Sequence, residues 1–186
     1  MSVRLGRRWS ELNLGREEFK DIYEIYANQV KKFLLCLTAD VELAEELTQE
    51  TFYQAVKSIE RYDGSCKLSV WLCQIAKHLF YDYLKKQKHC PKVSMEAMMK
   101  ASIERPSTEK NPEEQFINKE KMEMISGYIQ DMKEPYQEVF LLRVTNDLSF
   151  REIGESFNKS ENWARVTYYR AKSQLKERIQ GDQVEM

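Results

Sequence analysis

From Phe19 onward, apolar side chains recur every three or four residues. Phe19, Ile22, Tyr23, Tyr26, Val30, Phe33, Leu34 and Leu37 share one broad helical face. Asp40 then offers an N-cap, with Glu42, Glu45 and Glu46 near the positive end of the following helix dipole. Ala44, Leu47, Thr51, Ala55 and Ile59 carry the period of that second helix. Residues 61–67 break it, with Asp63-Gly64 as the turn signal. A third helix is expected over Ser69 to Lys88, burying Leu72, Ile75, Ala76, Leu79 and Tyr83. There the period stops. Residues 90–112 hold three of the four prolines and no sustained apolar spacing, the pattern of a flexible linker with a transient turn at Met95–Met99. Asn111-Pro112-Glu113-Glu114 restarts helix with a cap, a first-turn proline and acids at the positive pole. Phe116, Met122, Ile125 and Ile129 are its apolar positions, and Pro135 opens a further helix bearing Val139, Phe140, Leu142 and Val144. The pattern predicts an all-α chain: two small helical domains, residues 17–89 and 113–180, joined by a linker at 90–112.

The second domain closes on a helix-turn-helix pattern. Ser149 and Glu152 form a capping box, in which each side chain satisfies an amide of the first turn. Phe150, Ile153 and Phe157 share one face of that short helix. Ser160 is the next N-cap, and beyond it Ala164, Tyr168, Ala171, Leu175 and Ile179 form an apolar stripe. The outward positions then carry Arg165, Tyr169, Arg170, Lys172 and Lys176. Cations for phosphates and guanine edges, beside rings and aliphatics for thymine methyls, are what a major-groove helix needs. Lys159 stands in the turn where an apolar residue is common. Gly154 lowers helix propensity by about 1 kcal/mol against Ala, an exchange expected where two helices approach closely.

Composition changes this picture little, but charge distribution sharpens it. The 186 residues are 42% hydrophobic and 32% charged, with only six glycines, in keeping with a helical protein of ionic surface. The net charge of −1 is uneven: residues 38–60 carry six acidic and one basic side chain, residues 61–92 seven basic and two acidic. A local patch sets the field at a contact, so the neutral total does not argue against nucleic acid. The acidic segment should face protein instead. No apolar run reaches membrane-span length, and Cys36, Cys66, Cys73 and Cys90 show no CxxC pairing, so buried thiols in a reducing cytoplasm are expected. His78, His89 and Cys90 do not make a zinc spacing, and no cofactor is expected. A Ser/His/acid set and a phosphate loop are both missing, which argues against an enzyme and a small-molecule substrate.

Two motif sets then carry a resemblance. Residues 44–52, Ala-Glu-Glu-Leu-Thr-Gln-Glu-Thr-Phe, and 69–76, Ser-Val-Trp-Leu-Cys-Gln-Ile-Ala, lie in the first domain. Residues 135–143, Pro-Tyr-Gln-Glu-Val-Phe-Leu-Leu-Arg, and 148–154, Leu-Ser-Phe-Arg-Glu-Ile-Gly, lie in the second. Together they resemble the bacterial RNA polymerase sigma factors of the extracytoplasmic-function group, over about residues 17–89 and 113–178. The resemblance implies that Glu45, Glu46, Leu47, Gln49, Glu50 and Phe52 dock on core RNA polymerase, at the clamp coiled coil of its largest subunit. It implies that Ser65, Lys67, Ser69, Lys77, His78, Tyr81, Asp82, Lys85 and Lys86 serve the melted −10 strand, with the loop Asp63–Ser69 shaping a pocket for an extruded base. It places Trp163, Arg165, Val166, Thr167, Tyr169 and Arg170 toward duplex −35 DNA and Lys172 on phosphate. Trp71 reads as a core residue. Asn162-Trp163-Ala164 departs from the family's usual Gly-Thr-Val start, and Trp163 either contacts the DNA backbone or covers the turn. An anti-sigma partner, often membrane-anchored in such families, is implied by the resemblance alone, as is a stress-response role. The competing reading is a self-sufficient helix-turn-helix transcriptional regulator, which would bind palindromic DNA without polymerase.

Overall fold

The computed structural model describes residues 16–89 and 112–184. Among them are seven α-helices and no strand: α1 (Arg16–Thr38), α2 (Val41–Ser58, followed by a 3-10 turn at Ile59–Arg61), α3 (Leu68–His89), α4 (Pro112–Gln130), α5 (Tyr136–Thr145), α6 (Phe150–Ser156) and α7 (Glu161–Val184). Residues 90–111 of the expected linker, with the turn at Met95–Met99, lie outside the described residues.

Helices α1, α2 and α3 pack pairwise into the first unit. Its core takes Val30, Phe33, Leu34 and Leu37 from α1, Ala44, Leu47, Phe52 and Ala55 from α2, and Leu72, Ala76 and Phe80 from α3. Each large side chain in such a core contributes about 1.5–3 kcal/mol of transfer free energy. Asp40 caps α2 as expected, its Oδ1 accepting from the amides of Glu42 at 2.9 Å and Leu43 at 3.0 Å. Thr48 and Thr51 are buried, yet their hydroxyls donate to the Ala44 and Leu47 carbonyls at 2.6 Å. Phe80 was not among the expected core positions of α3, although it follows Ala76 by one turn.

In the second unit α5 is the buried axis, with α7 packed on both α5 and α6. Val139, Leu141 and Leu142 are fully buried. Two expected core positions are corrected here: Val144 is 49% exposed and Met122 is 39% exposed. Each lies on the outer side of its helix, while Leu141 and Ser126 face inward.

The units also touch. Helix α1 packs on α4 and α5, and Ser126 Oγ and Gln130 Nε2 both donate to the Leu37 carbonyl at 2.6 Å. That carbonyl lies in the last turn of α1, where intrahelical partners run out. Gln137, 1% exposed, spans the same boundary: its Nε2 donates to the Ile129 carbonyl at 2.8 Å and to the Tyr81 hydroxyl at 2.9 Å.

Candidate nucleic-acid interface

The helix-turn-helix is built by local bonds. At its start the Ser149 amide donates to the Glu152 carboxylate at 2.8 Å and the Glu152 amide to Ser149 Oγ at 3.3 Å, the complete capping box. At its end Asn158 takes φ +53, and the Lys159 amide reaches back five residues to the Gly154 carbonyl at 2.8 Å. This is the bonding of a Schellman ending, in which Asn is one of the few residues that tolerate the left-handed position. Ser160 caps α7 through the Trp163 amide at 3.2 Å. Gly154 has a steric reason: a Cβ there would sit 2.8 Å from the Ser160 carbonyl oxygen and 2.9 Å from that of Lys159. Lys159 is exposed, so the turn closes without an apolar residue at that place.

Helix α7 buries Ala164 and Ala171 and lays Tyr168 flat on Phe140, with centroids 5.9 Å apart and ring planes 13° from parallel. Its outer side presents Arg165, Val166, Tyr169, Arg170 and Lys172 to solvent, with Tyr169 57% exposed. Arg165 pairs with Glu161 at 2.6 Å, and its guanidinium lies 5.8 Å from the Phe150 ring centroid. Thr167 is a correction: it is 6% exposed and belongs to the packed side of α7, one turn after Ala164, so it cannot reach a base edge. Trp163 is half-buried with its ring 5.3 Å from that of Phe157, packed over the turn. Arg143, which sequence reasoning did not single out, braces the motif: its guanidinium donates to the Leu148 carbonyl at 2.7 Å and lies over Phe150 at 5.1 Å.

Helix α3 and the loop before it divide their expected contacts. Gly64 takes φ +76, and the Asp63 carboxylate accepts from the Ser65 amide at 2.9 Å. Those bonds to Ser65 hold the Asp63 carboxyl below its ordinary range. Tyr62 donates to the Cys66 carbonyl at 2.5 Å and packs on Trp71 at 5.2 Å, and Trp71 is half-buried against the core. Burial, reinforced by neighbouring Cys66, Tyr26 and Asp63, pushes the Tyr62 hydroxyl up to about 12. Ser65, Lys67, His78, Asp82, Lys85 and Lys86 are exposed. Ser69, Lys77 and Tyr81 are not, and this corrects their placement on an open face. Ser69 is 6% exposed in the first turn of α3. The Lys77 side chain is 17% exposed and pairs with Glu134 and, at 3.2 Å, with Glu138. Burial disfavours its charge, but the two carboxylates outweigh that and raise its pKa. Tyr81 is half-buried, its hydroxyl donating to Gln137 Oε1 at 3.1 Å. Cys73, one turn before Lys77, is buried with its thiol 3.8 Å from Asn146 Oδ1, and burial pushes that thiol up to about 12.

On α2, Glu45, Glu46 and Gln49 are exposed and Glu50 is half-buried, with Glu45 paired to Lys31. Leu47 and Phe52 are corrected: at 7% and 2% exposure they face the core, where Tyr23 meets Phe52 edge-on at 4.8 Å. The exposed apolar groups of this helix are instead Val41, Tyr53 and Val56 at 54%, 54% and 48%. Their signal was available in the spacing, because Glu46, Gln49, Tyr53 and Val56 follow one another by three or four residues. Among the described residues no helix is long and apolar enough to cross a membrane.

Residues 22–90 match the family model for Sigma-70 region 2, and residues 122–175 that for Sigma-70, region 4. The ECF RNA polymerase sigma factor SigM of Bacillus subtilis is 34% identical over 156 residues, covering 84% of this chain and 91% of that protein. SigW of the same organism is 26% identical over 187 residues, covering 96% and 98%. Two solved structures share the fold. The sigma factor RpoE in complex with the anti-sigma factor NepR, from Bartonella quintana, superposes with a TM-score of 0.53 at 16% identity, covering 88% of this chain and 98% of that one. CnrH in complex with the cytosolic domain of CnrY gives a TM-score of 0.52 at 14% identity, covering 90% and 91%.

Proposed function

Because this chain belongs to the extracytoplasmic-function RNA polymerase sigma factors, we propose a division of labour among its surfaces in promoter-directed initiation. The outer face of α2, with Glu45, Glu46, Gln49, Glu50, Tyr53 and Val56, docks on core RNA polymerase. Acidic groups around exposed apolar ones suit a basic protein surface better than phosphate. The outer face of α7 reads duplex −35 DNA: Arg165 and Arg170 reach base edges or phosphate, Val166 and Tyr169 meet thymine methyls, and Lys172 lies on the backbone. The exposed groups of the α3 region, Ser65, Lys67, His78, Asp82, Lys85 and Lys86, together with Lys77 and Tyr81 once uncovered, hold the melted −10 strand through cations and ring stacking. Residues 17–89 and 113–180 act as the two binding domains, and 90–112 as the tether that converts weak grips into a joint one. The reading includes cytoplasmic action, no catalysis of its own and an anti-sigma protein as a further partner.

The observation that carries this reading is the exposed Arg165, Val166, Tyr169 and Arg170 side of α7 in a capped helix-turn-helix that lies within the region 4 match. Its test is a gel shift of promoter DNA with and without core polymerase, using wild type, Arg165→Ala and Arg170→Ala. Specific binding should need the core enzyme, and each variant should lose about 1–3 kcal/mol if a bidentate base contact is removed. Unchanged occupancy in both variants, or tight binding of palindromic DNA without polymerase, would refute it.

A further inference from the structure

The outer side of α7 carries an anion among its cations. Glu161 is the first residue of that helix, and its Oε1 accepts from Arg165 Nη2 at 2.6 Å. Both side chains stay open to solvent, at 48% and 51% exposure. The Arg165 guanidinium also lies 5.8 Å from the Phe150 ring centroid, so two neighbours fix its position. Arg151 of α6, bonded to Glu155 at 3.0 Å, has its pKa raised by Glu155 first and by Glu161 as well. The Glu161 carboxylate is therefore close to cations of both helices of the motif. It stands at the end of α7 that enters a major groove in this architecture. For stability the pair matters little, because an exposed i, i+4 bridge is among the weakest of interactions. For DNA binding a carboxylate here is a cost, because it faces a polyanion. An anion so placed weakens binding unless a base donates to it.

The hydrogen-bond code of the major groove supplies such a donor. A G·C pair presents two acceptors, guanine N7 and O6, and beside them one donor, the cytosine N4 amino group. The ion pair presents the complement. Arg165 keeps Nη1 and the second hydrogen of Nη2 for the acceptors, and Glu161 keeps Oε2 for the donor. We infer that Glu161 is a specificity-determining residue of the −35 contact, accepting from a cytosine amino group beside the guanine that Arg165 reads. This rests on the proposed base-reading role of Arg165. An A·T pair fits worse, since its amino group and its N7 both belong to the adenine and a thymine methyl would meet the carboxylate. Where no cytosine answers it, Glu161 leaves an uncompensated anion against the duplex, which rejects other sequences.

The test uses the full chain assembled with core RNA polymerase and a promoter pool randomised across the −35 and −10 regions. Bound DNA is sequenced, and Tm is recorded for each variant. Wild type should select a G·C position in the −35 region by roughly tenfold over A·T. Glu161→Ala should cut that preference to about twofold, at the base pair that Arg165→Ala affects or the adjoining one, while the total DNA bound does not fall. Glu161→Asp keeps the charge at the positive end of the helix but ends one methylene short. It should lose the same preference with Tm unchanged. An unaltered base profile in Glu161→Ala, with the Arg165→Ala profile flattened, overturns the inference. So does an equal loss of binding to every sequence, the mark of a structural role. Failure of the Arg165 reading looks different: Arg165→Ala itself would then leave the base profile unchanged, and the inference would fall with it.

Discussion

Replacing Gly154 with alanine sets two well-measured effects against each other. In an ordinary helix the change stabilises by about 1 kcal/mol, because glycine loses more backbone entropy on folding. Here the new methyl would meet the Ser160 and Lys159 carbonyl oxygens at 2.8 and 2.9 Å, where ordinary contact begins at 3.4 Å. Both obstacles are backbone, so the turn must shift by roughly half an ångström, and overpacking of that kind costs about 1–3 kcal/mol. The shift also strains the Lys159–Gly154 bond and the Ser160 cap on Trp163, which lie within the same ten residues. Loss of a cap alone costs about 1 kcal/mol. The net expectation is destabilisation by about 1–2 kcal/mol, a fall in Tm of roughly 2–8 °C for a chain of this size. Gly127→Ala and Gly181→Ala are the controls, since both glycines are helical and a Cβ at either meets nothing within 4 Å. Those two should raise Tm by a few degrees. Thermal melts followed by circular dichroism decide the matter. If Gly154→Ala raises Tm as the controls do, the steric argument for this turn is wrong.

Two further predictions follow from buried polar groups and charge. Gln137→Leu should leave the Ile129 carbonyl and the Tyr81 hydroxyl short of a partner and lower stability by about 1–3 kcal/mol, measured as a shift in the urea midpoint; an unchanged midpoint would mean that water replaces the amide fully. Glu152 is held down to about 2 from its ordinary 4.5, first by the bond from Lys67, partly opposed by burial and aided by Ser149. Its folded pKa is depressed, so the stabilisation is present above pH 4.5 and fades as pH falls toward 2. Its side chain is 32% exposed, so screening keeps the effect small. The stability difference between wild type and Lys67→Ala should therefore shrink across that interval; a constant difference down to pH 2 would exclude the pair as its source.

Local chemistry was legible in the sequence wherever partners lie within a few residues. The caps at Asp40, Ser149 and Ser160, the Asp63-Gly64 turn and the short-helix, long-helix order are all of this kind. The two-unit all-α fold and the family follow from the same spacing and motifs. What escaped depends on partners far along the chain. Periodicity identifies one buried face per helix, but α3 is covered on a second side by residues more than fifty positions away, so Lys77 and Tyr81 read as open. Lysine can bury its stem and still reach a carboxylate, which hides such sites from hydropathy. On α2 the error ran the other way. Leu47 and Phe52 looked like docking groups because acids flank them, whereas Tyr53 and Val56 carry the outward apolar surface. Thr167 was misplaced because its small polar side chain fits equally well beside Ala164 or in solvent.

The Leu37 carbonyl, reached at once by Ser126 and Gln130, has a consequence for how the joint responds to its surroundings. Two donors converge on one oxygen that a pair of water molecules could serve almost as well. Hydration is thus the rival of closure at this spot, and the balance follows water activity. Osmolytes that withdraw from protein surfaces should tip the halves together, and dilute, well-hydrated conditions should let them part.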